Sequence, residues 1–195
     1  YCLDEPETYL VQLRALLRAS VHGRLAVMFP MIASPGELRG ARELLGEARA
    51  ELTAEGTKTG SVDVGVMIET PAAAILSDQL AREADFFSIG TNDLTQYTLA
   101  ADRMNERIAG YYRPADPAVL RLMKLAAENA RKNGIWTGVC GESAADPALI
   151  PLYLAMGITE LSMSPAALPE ARERVRSFDL EQARAALARA LGEVE

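Results

Sequence analysis

The sequence predicts an α/β fold built on a parallel sheet. Three observations predict it: short apolar runs without in/out alternation, helical patterns between those runs, and polar residues with chemical potential at the C-terminal end of run after run. Near-continuous apolar runs suit strands covered on both faces, as parallel sheets require. Regular alternation of strand and helix is the pattern of βαβ units.

The elements follow in order. Pro6–Ser20 carries Leu10, Leu13, Leu16 and Leu17 at helical spacing. Leu25–Ile32 is the first strand. Ser34–Gly56 is a helix opened by a capping box, with Ser34 as N-cap, Pro35 at the first helical position and Glu37 three residues after the cap. The stretch Gly56–Ser61 is a loop. Val62–Thr70 is the second strand, and Thr70 is placed to cap a helix over Pro71–Ala84. Phe86–Thr91 is the third strand. Asp116-Pro117 starts a helix that stops at Asn133-Gly134. Trp136–Gly141 is the fourth strand, Asp146-Pro147 a further helix start, and Leu161–Ser164 the fifth strand. Helices over Pro165–Ser177 and Leu180–Leu191 close the chain.

Composition narrows the function. The 195 residues are 49% hydrophobic and 24% charged, the balance of a globular protein with a real core. With 27 acidic and 20 basic side chains the net charge is -7, which disfavours a nucleic-acid partner but leaves room for a local anion site. No apolar run reaches the length of about 18 residues that insertion into a membrane needs. Two distant cysteines, Cys2 and Cys140, suit a reducing cytoplasmic setting rather than a disulfide framework. No GxGxxG, Walker or CxxC pattern is present. The chain opens at Tyr1 directly into a helical pattern, which points to a piece of something longer.

The strand ends carry the candidate chemistry. The second strand ends in Glu69-Thr70, the third in Gly90-Thr91-Asn92-Asp93, the fourth in Cys140-Gly141-Glu142 and the fifth in Ser162-Met163-Ser164. Candidates on several successive strands favour a (β/α)8 barrel, whose chemistry collects at that face, over an open sheet with one switch point. A whole barrel takes roughly 250 residues, so five strands make a portion of one. Spacing leaves the individual roles open. Glu69 and Asp93 either share a hard cation or cap the helices that follow them. Cys140, between Gly138 and Gly141, is either a small core residue or a group at a ligand. Arg103, ten residues after Asp93, is either a surface arginine or a clamp for phosphate or carboxylate. His22 reads as a loop residue.

These stretches resemble a known family. Asp85–Arg103 (DFFSIGTNDLTQYTLAADR), Met28–Ile32 (MFPMI), Val64–Ala74 (VGVMIETPAAA) and Trp136–Glu142 (WTGVCGE) closely resemble enzyme I of the bacterial phosphoenolpyruvate:sugar phosphotransferase system. The resemblance runs from about Leu10 to Phe178. Pyruvate phosphate dikinases and phosphoenolpyruvate synthases share GTNDLTQ and the CGE element, while the Tyr97 continuation and WTGVCGE are more like enzyme I.

The resemblance implies a C-terminal (β/α)8 barrel of a cytoplasmic homodimer that binds phosphoenolpyruvate and Mg²⁺. It implies Glu69 and Asp93 as magnesium ligands, Asn92 and Asp93 in the loop that contacts phosphoenolpyruvate, Arg103 on its phosphate, and Cys140 as the acid/base for the C3 proton. Glu142 is a weaker candidate for a supporting or capping role. The family's phosphoacceptor histidine lies in an N-terminal domain, and Val21-His22-Gly23 does not match it; the same absent region would receive the phosphocarrier HPr. The chain matches strands four to eight of the barrel, without the first three and their phosphate-clamping arginines, so it is expected to be unstable or associated by itself. A dikinase- or synthase-type domain and a dimerisation module without turnover are the alternatives. The resemblance as a whole implies transfer of phosphoryl from phosphoenolpyruvate to an enzyme histidine and on to HPr.

Overall fold

A computed structural model describes residues 3–193; Cys2 lies outside them. Their strands are β1 (Leu25–Phe29), β2 (Val62–Ile68), β3 (Phe86–Gly90), β4 (Trp136–Cys140) and β5 (Glu160–Ser162). They form one parallel sheet in the order β1-β2-β3-β4-β5. A doubly wound sheet reverses its order at a switch point. Here each strand adds beside the one before it, which is the order of consecutive units in a (β/α) barrel.

Nine α-helices are described: α1 (Pro6–Ala19), α2 (Pro35–Ala54), α3 (Pro71–Ile75), α4 (Ser77–Leu80), α5 (Thr91–Leu99), α6 (Pro117–Lys132), α7 (Ile150–Ala155), α8 (Leu168–Ser177) and α9 (Leu180–Ala190). Their apolar sides join one continuous core with the outward face of the sheet. Val27, Phe29, Val64, Val66, Ile68, Phe87, Ile89 and Val139 meet Leu13, Leu38, Leu45, Leu52, Leu80, Leu120 and Met123 there. The alternate residues of the same strands face inward: Met28, Gly65 and Met67, then Phe86 and Ser88, then Trp136, Gly138 and Cys140, and Glu160. Phe86 is buried beneath Trp136, the rings stacked with centroids 4.4 Å apart.

Local signals account for most boundaries. Ser34 Oγ accepts from Glu37 N, and Glu37 Oε2 accepts from the backbone of Ala33 and Ser34, the reciprocal capping box. Thr70 and Asp116 cap α3 and α6 through Ala73 N and Ala118 N. Other boundaries differ from expectation. The first strand stops at Phe29, because Pro30 has no N–H for the ladder and Met31 sits at φ 56°. The second, third and fourth strands also end one or two residues early, where the chain turns into its caps. The fifth starts at Glu160 and ends at Ser162. The helix expected over Pro71–Ala84 breaks at Leu76 into α3 and α4. Asp146-Pro147 does not open a helix directly: Asp146 Oδ1 takes Ala148 N in a tight turn, and α7 begins at Ile150. A 3-10 segment at Glu106–Tyr111 has no counterpart in the sequence pattern.

Candidate functional site

The strand ends of β2, β3 and β4 lie side by side, since Ile68 pairs with Ile89 and Gly90 with Cys140. Three consecutive loops therefore bring Glu69, Thr91–Asp93 and Cys140–Glu142 to one place. Glu69 is 4% exposed, and its Oε1 accepts from Met31 N at 2.7 Å. The left-handed turn at Met31 thus serves a purpose: it aims a backbone N–H from beyond β1 at a carboxylate beyond β2.

Asp93 faces Glu69 from the first turn of α5. Burial raises the Glu69 carboxyl above the usual carboxylate range, and the charge and hydrogen bonding of Asp93 raise it further; the Met31 N–H and the Arg103 charge oppose the rise. Arg103 Nη1 lies 3.8 Å from Asp93 Oδ1. The guanidinium therefore folds back over the same mouth, with its backbone N–H held by Gln96 Oε1 at 3.1 Å.

Two carboxylates held against each other with a cationic neighbour form a hard-oxygen donor set. Among the described residues there is no group of three or more His, Cys, Asp or Glu able to hold a metal. Mg²⁺ takes only one or two protein carboxylates and completes its shell with water and substrate oxygens. The pair fits that chemistry. Gly90 leaves the space: a Cβ there would stand 2.9 Å from Glu69 Oε2.

The β3 and β4 loops are latched together. Thr91 Oγ1 donates to the Cys140 carbonyl at 3.0 Å, and Asn92 Oδ1 accepts from Glu142 N at 3.2 Å. Ser143 Oγ donates to Thr91 Oγ1 and accepts from Tyr153 Oη, each at 2.8 Å. A chain of buried hydroxyls so runs from α7 to the end of β4. Gly141 makes the close passage possible. Its φ is 113°, and a Cβ there would collide with Thr91 Oγ1. Tyr112 reaches back from the following loop, its hydroxyl 3.3 Å from the Asn92 carbonyl.

Cys140 is half-buried and free. Burial pushes its thiol up, and the carboxylates of Glu69, Glu160 and Asp93 push it the same way; a hydrogen bond from Ser88 opposes them. The thiol is held protonated at neutral pH, the state a proton donor needs.

Glu69, Asn92, Asp93, Arg103 and Cys140 are brought together. Glu142 contributes its backbone N–H rather than its carboxylate. His22 ends the 3-10 turn after α1, before β1 and away from this mouth. Sequence reasoning passed over Met31, Ser88, Tyr112, Ser143 and Glu160, and gave Thr91 no role beyond its place at the end of the third strand. Only Ser88 had a visible signal, a hydroxyl in the otherwise apolar run FFSIG at the same strand parity as Gly90.

Residues 1–180 match the model of the PEP-utilising enzyme, PEP-binding domain family. The chain belongs to that family. Curated relatives called phosphoenolpyruvate-protein phosphotransferase agree with it. The one from Listeria monocytogenes serovar 1/2a is 51% identical over 179 residues, covering 91% of this chain and 31% of the relative. That of Staphylococcus carnosus is 52% identical over 179 residues, with the same shares, and that of Bacillus subtilis strain 168 is 48% identical over 183 residues, covering 93% and 32%. The chain thus spans about a third of the length of these relatives. The PEP-binding domain accounts for nearly all of what is described here. No helix among the described residues is long and apolar enough to cross a membrane.

Proposed function

We propose that this chain is the substrate-binding portion of a Mg²⁺-dependent phosphoenolpyruvate-protein phosphotransferase. In that enzyme phosphoryl passes from phosphoenolpyruvate to a histidine on another domain and on to the phosphocarrier HPr, in a cytoplasmic homodimer serving sugar uptake. The observation that carries the reading is the convergence of Glu69, Asp93, Arg103 and Cys140 at three adjacent strand ends, within a PEP-binding domain family. Residues 1–195 then belong to a single domain, as a portion of its C-terminal phosphoenolpyruvate-binding barrel.

Each side chain then has a task. Glu69 and Asp93 would hold magnesium, which would offset the negative charge of the substrate. Arg103 binds the phosphate, and its contact with Asp93 keeps it aimed at the mouth. Asn92 is fixed by Glu142 N and Tyr112, so that its loop meets the substrate already ordered. Loss of the phosphoryl group leaves the enolate of pyruvate, and the protonated Cys140 thiol delivers a proton to its C3 carbon. The thiol acts as an acid, not as a nucleophile.

Titration calorimetry of phosphoenolpyruvate into the folded chain, with and without Mg²⁺, tests the binding site. Magnesium-dependent binding is expected. In the full-length protein, Cys140→Ala is expected to cut phosphoryl transfer strongly and leave assembly intact; unchanged transfer would remove the proton-donor role.

A further inference from the structure

The Cys140 thiol does not hang loose at its strand end. Ser88 Oγ lies 3.4 Å from Cys140 Sγ and donates to it. Ser88 is 3% exposed, on the inward face of β3, and pairs in register with Gly138, one layer below the Gly90–Cys140 pair. Glu160 pairs with Gly138 from the other side. Its carboxylate fills the place over Gly138 where a side chain would otherwise stand, since a Cβ there would collide with Glu160 Oε2. Ser88, Gly138 and Glu160 therefore make one row beneath the thiol, a hydroxyl on one side and a carboxylate on the other.

The direction of the sulfur contact matters. A hydroxyl donating to sulfur favours the thiolate over the thiol. Burial and the three nearby carboxylates favour the thiol. The thiol is therefore protonated at rest, yet it already has in place the partner that the sulfur needs once its proton has gone.

We propose that Ser88 is the positioning residue of the Cys140 thiol, holding Sγ at the strand end and donating to the sulfur as its proton is transferred. This rests on the phosphoenolpyruvate reading above. In the step, the S–H bond breaks and its proton forms the new C–H bond at C3 of the enolate. The electron pair stays on sulfur, and the thiolate regains a proton from solvent. Ser88 keeps its own proton throughout.

The test uses the full-length protein that carries this segment. Two readouts are compared: washout of deuterium from C3 of deuterated pyruvate with Mg²⁺ present, and the pH profile of iodoacetamide alkylation at the Cys140 peptide, followed by mass spectrometry without metal. Ser88→Ala is expected to slow washout about 10–100-fold, the scale of a hydrogen bond to a charged group. It should leave KM for phosphoenolpyruvate within about twofold and move the alkylation midpoint to higher pH. Ser88→Thr, which keeps the hydroxyl, is expected to restore both. Unchanged washout in folded Ser88→Ala overturns the proposal, and so does slowed washout with an unmoved alkylation midpoint. If Ser88→Ala does not fold, the near-isosteric weak donor Ser88→Cys, read in reductant, is expected to slow washout about fivefold or more, and no slowing overturns the proposal. No washout by the unsubstituted protein would instead sink the phosphoenolpyruvate reading, before any variant is made.

Discussion

The two faces of the sheet solve opposite problems with the same five strands. On the outward face, Val66, Ile68, Phe87, Ile89 and Val139 are fully buried against helices. Thr137 apart, the buried strand residues of that face are apolar, and the gain is the transfer of apolar area from water. On the inward face, Ser88 and Glu69 are buried although they are polar, Cys140 and Met67 are half-buried, and Met28 and Trp136 remain exposed. Burying a carboxylate there costs stability unless something pairs with it. The outward face is where the fold is stabilised; the inward face is where stability is given up to hold reactive groups in place.

Substitutions on each face should separate the two effects. Phe87→Ala on the outward face should cost about 3–5 kcal/mol of unfolding free energy, measured by denaturant titration, with substrate affinity unchanged in whatever fraction remains folded. Asp93→Asn at the inward mouth should do the reverse. Magnesium-dependent phosphoenolpyruvate binding should weaken about a hundredfold, about 2.7 kcal/mol, while the thermal midpoint holds or rises. A large loss of stability in Asp93→Asn would break the comparison.

The buried carboxylate makes a pH test of the same contrast. Glu69 has its folded-state pKa raised, first by burial and then by Asp93. Stability linked to its protonated form is fully present below the unfolded carboxyl value and is lost as pH rises through the raised value. The Glu69→Gln variant keeps the acceptor for Met31 N and should gain on the parent protein as pH rises from about 4 to neutrality. Thermal midpoints across that range measure it, and added Mg²⁺ should narrow the gap at neutral pH by stabilising only the parent.

Two smaller effects sharpen the picture. Tyr153→Phe removes one link of the hydroxyl chain behind Cys140 and should cost about 1 kcal/mol in chemical denaturation. The Tyr153 hydroxyl, pushed up to about 12 chiefly by burial, stays protonated, so this cost should be the same from neutral pH to mildly alkaline pH. Ser34→Ala, at a cap remote from both faces, should cost about 0.5–1 kcal/mol and leave binding untouched.

Much of this is legible in the sequence. The apolar runs without alternation marked a parallel sheet, although only its outward face is covered by helices while Met28 and Trp136 stay exposed on the inward one, and the polar strand ends marked its reactive edge. Glu69, Asn92, Asp93, Arg103 and Cys140 were all named from the sequence, and the structure places them around one mouth. What was missed was support rather than principal groups. Met31 serves Glu69 through a backbone N–H, which any residue type carries. Glu160 and Ser143 were hidden because their partners, Gly138 and Thr91, lie far away in sequence and carry no complementary pattern.

The sequence by itself determined the order of strands and helices, the capped starts at Ser34, Thr70 and Asp116, and the edge on which chemistry collects. Those signals act between residues at most four apart or through simple periodicity, so a linear reading reaches them. Only the tertiary structure decided that Ser88 would touch the Cys140 thiol, that Thr91 would clasp the β4 carbonyl, and that Glu160 would lie over Gly138. These contacts join residues 22 to 52 positions apart. They exist because the parallel register sets Ser88 opposite Gly138 and Gly90 opposite Cys140; a slip of one residue would turn every one of those side chains to the other face.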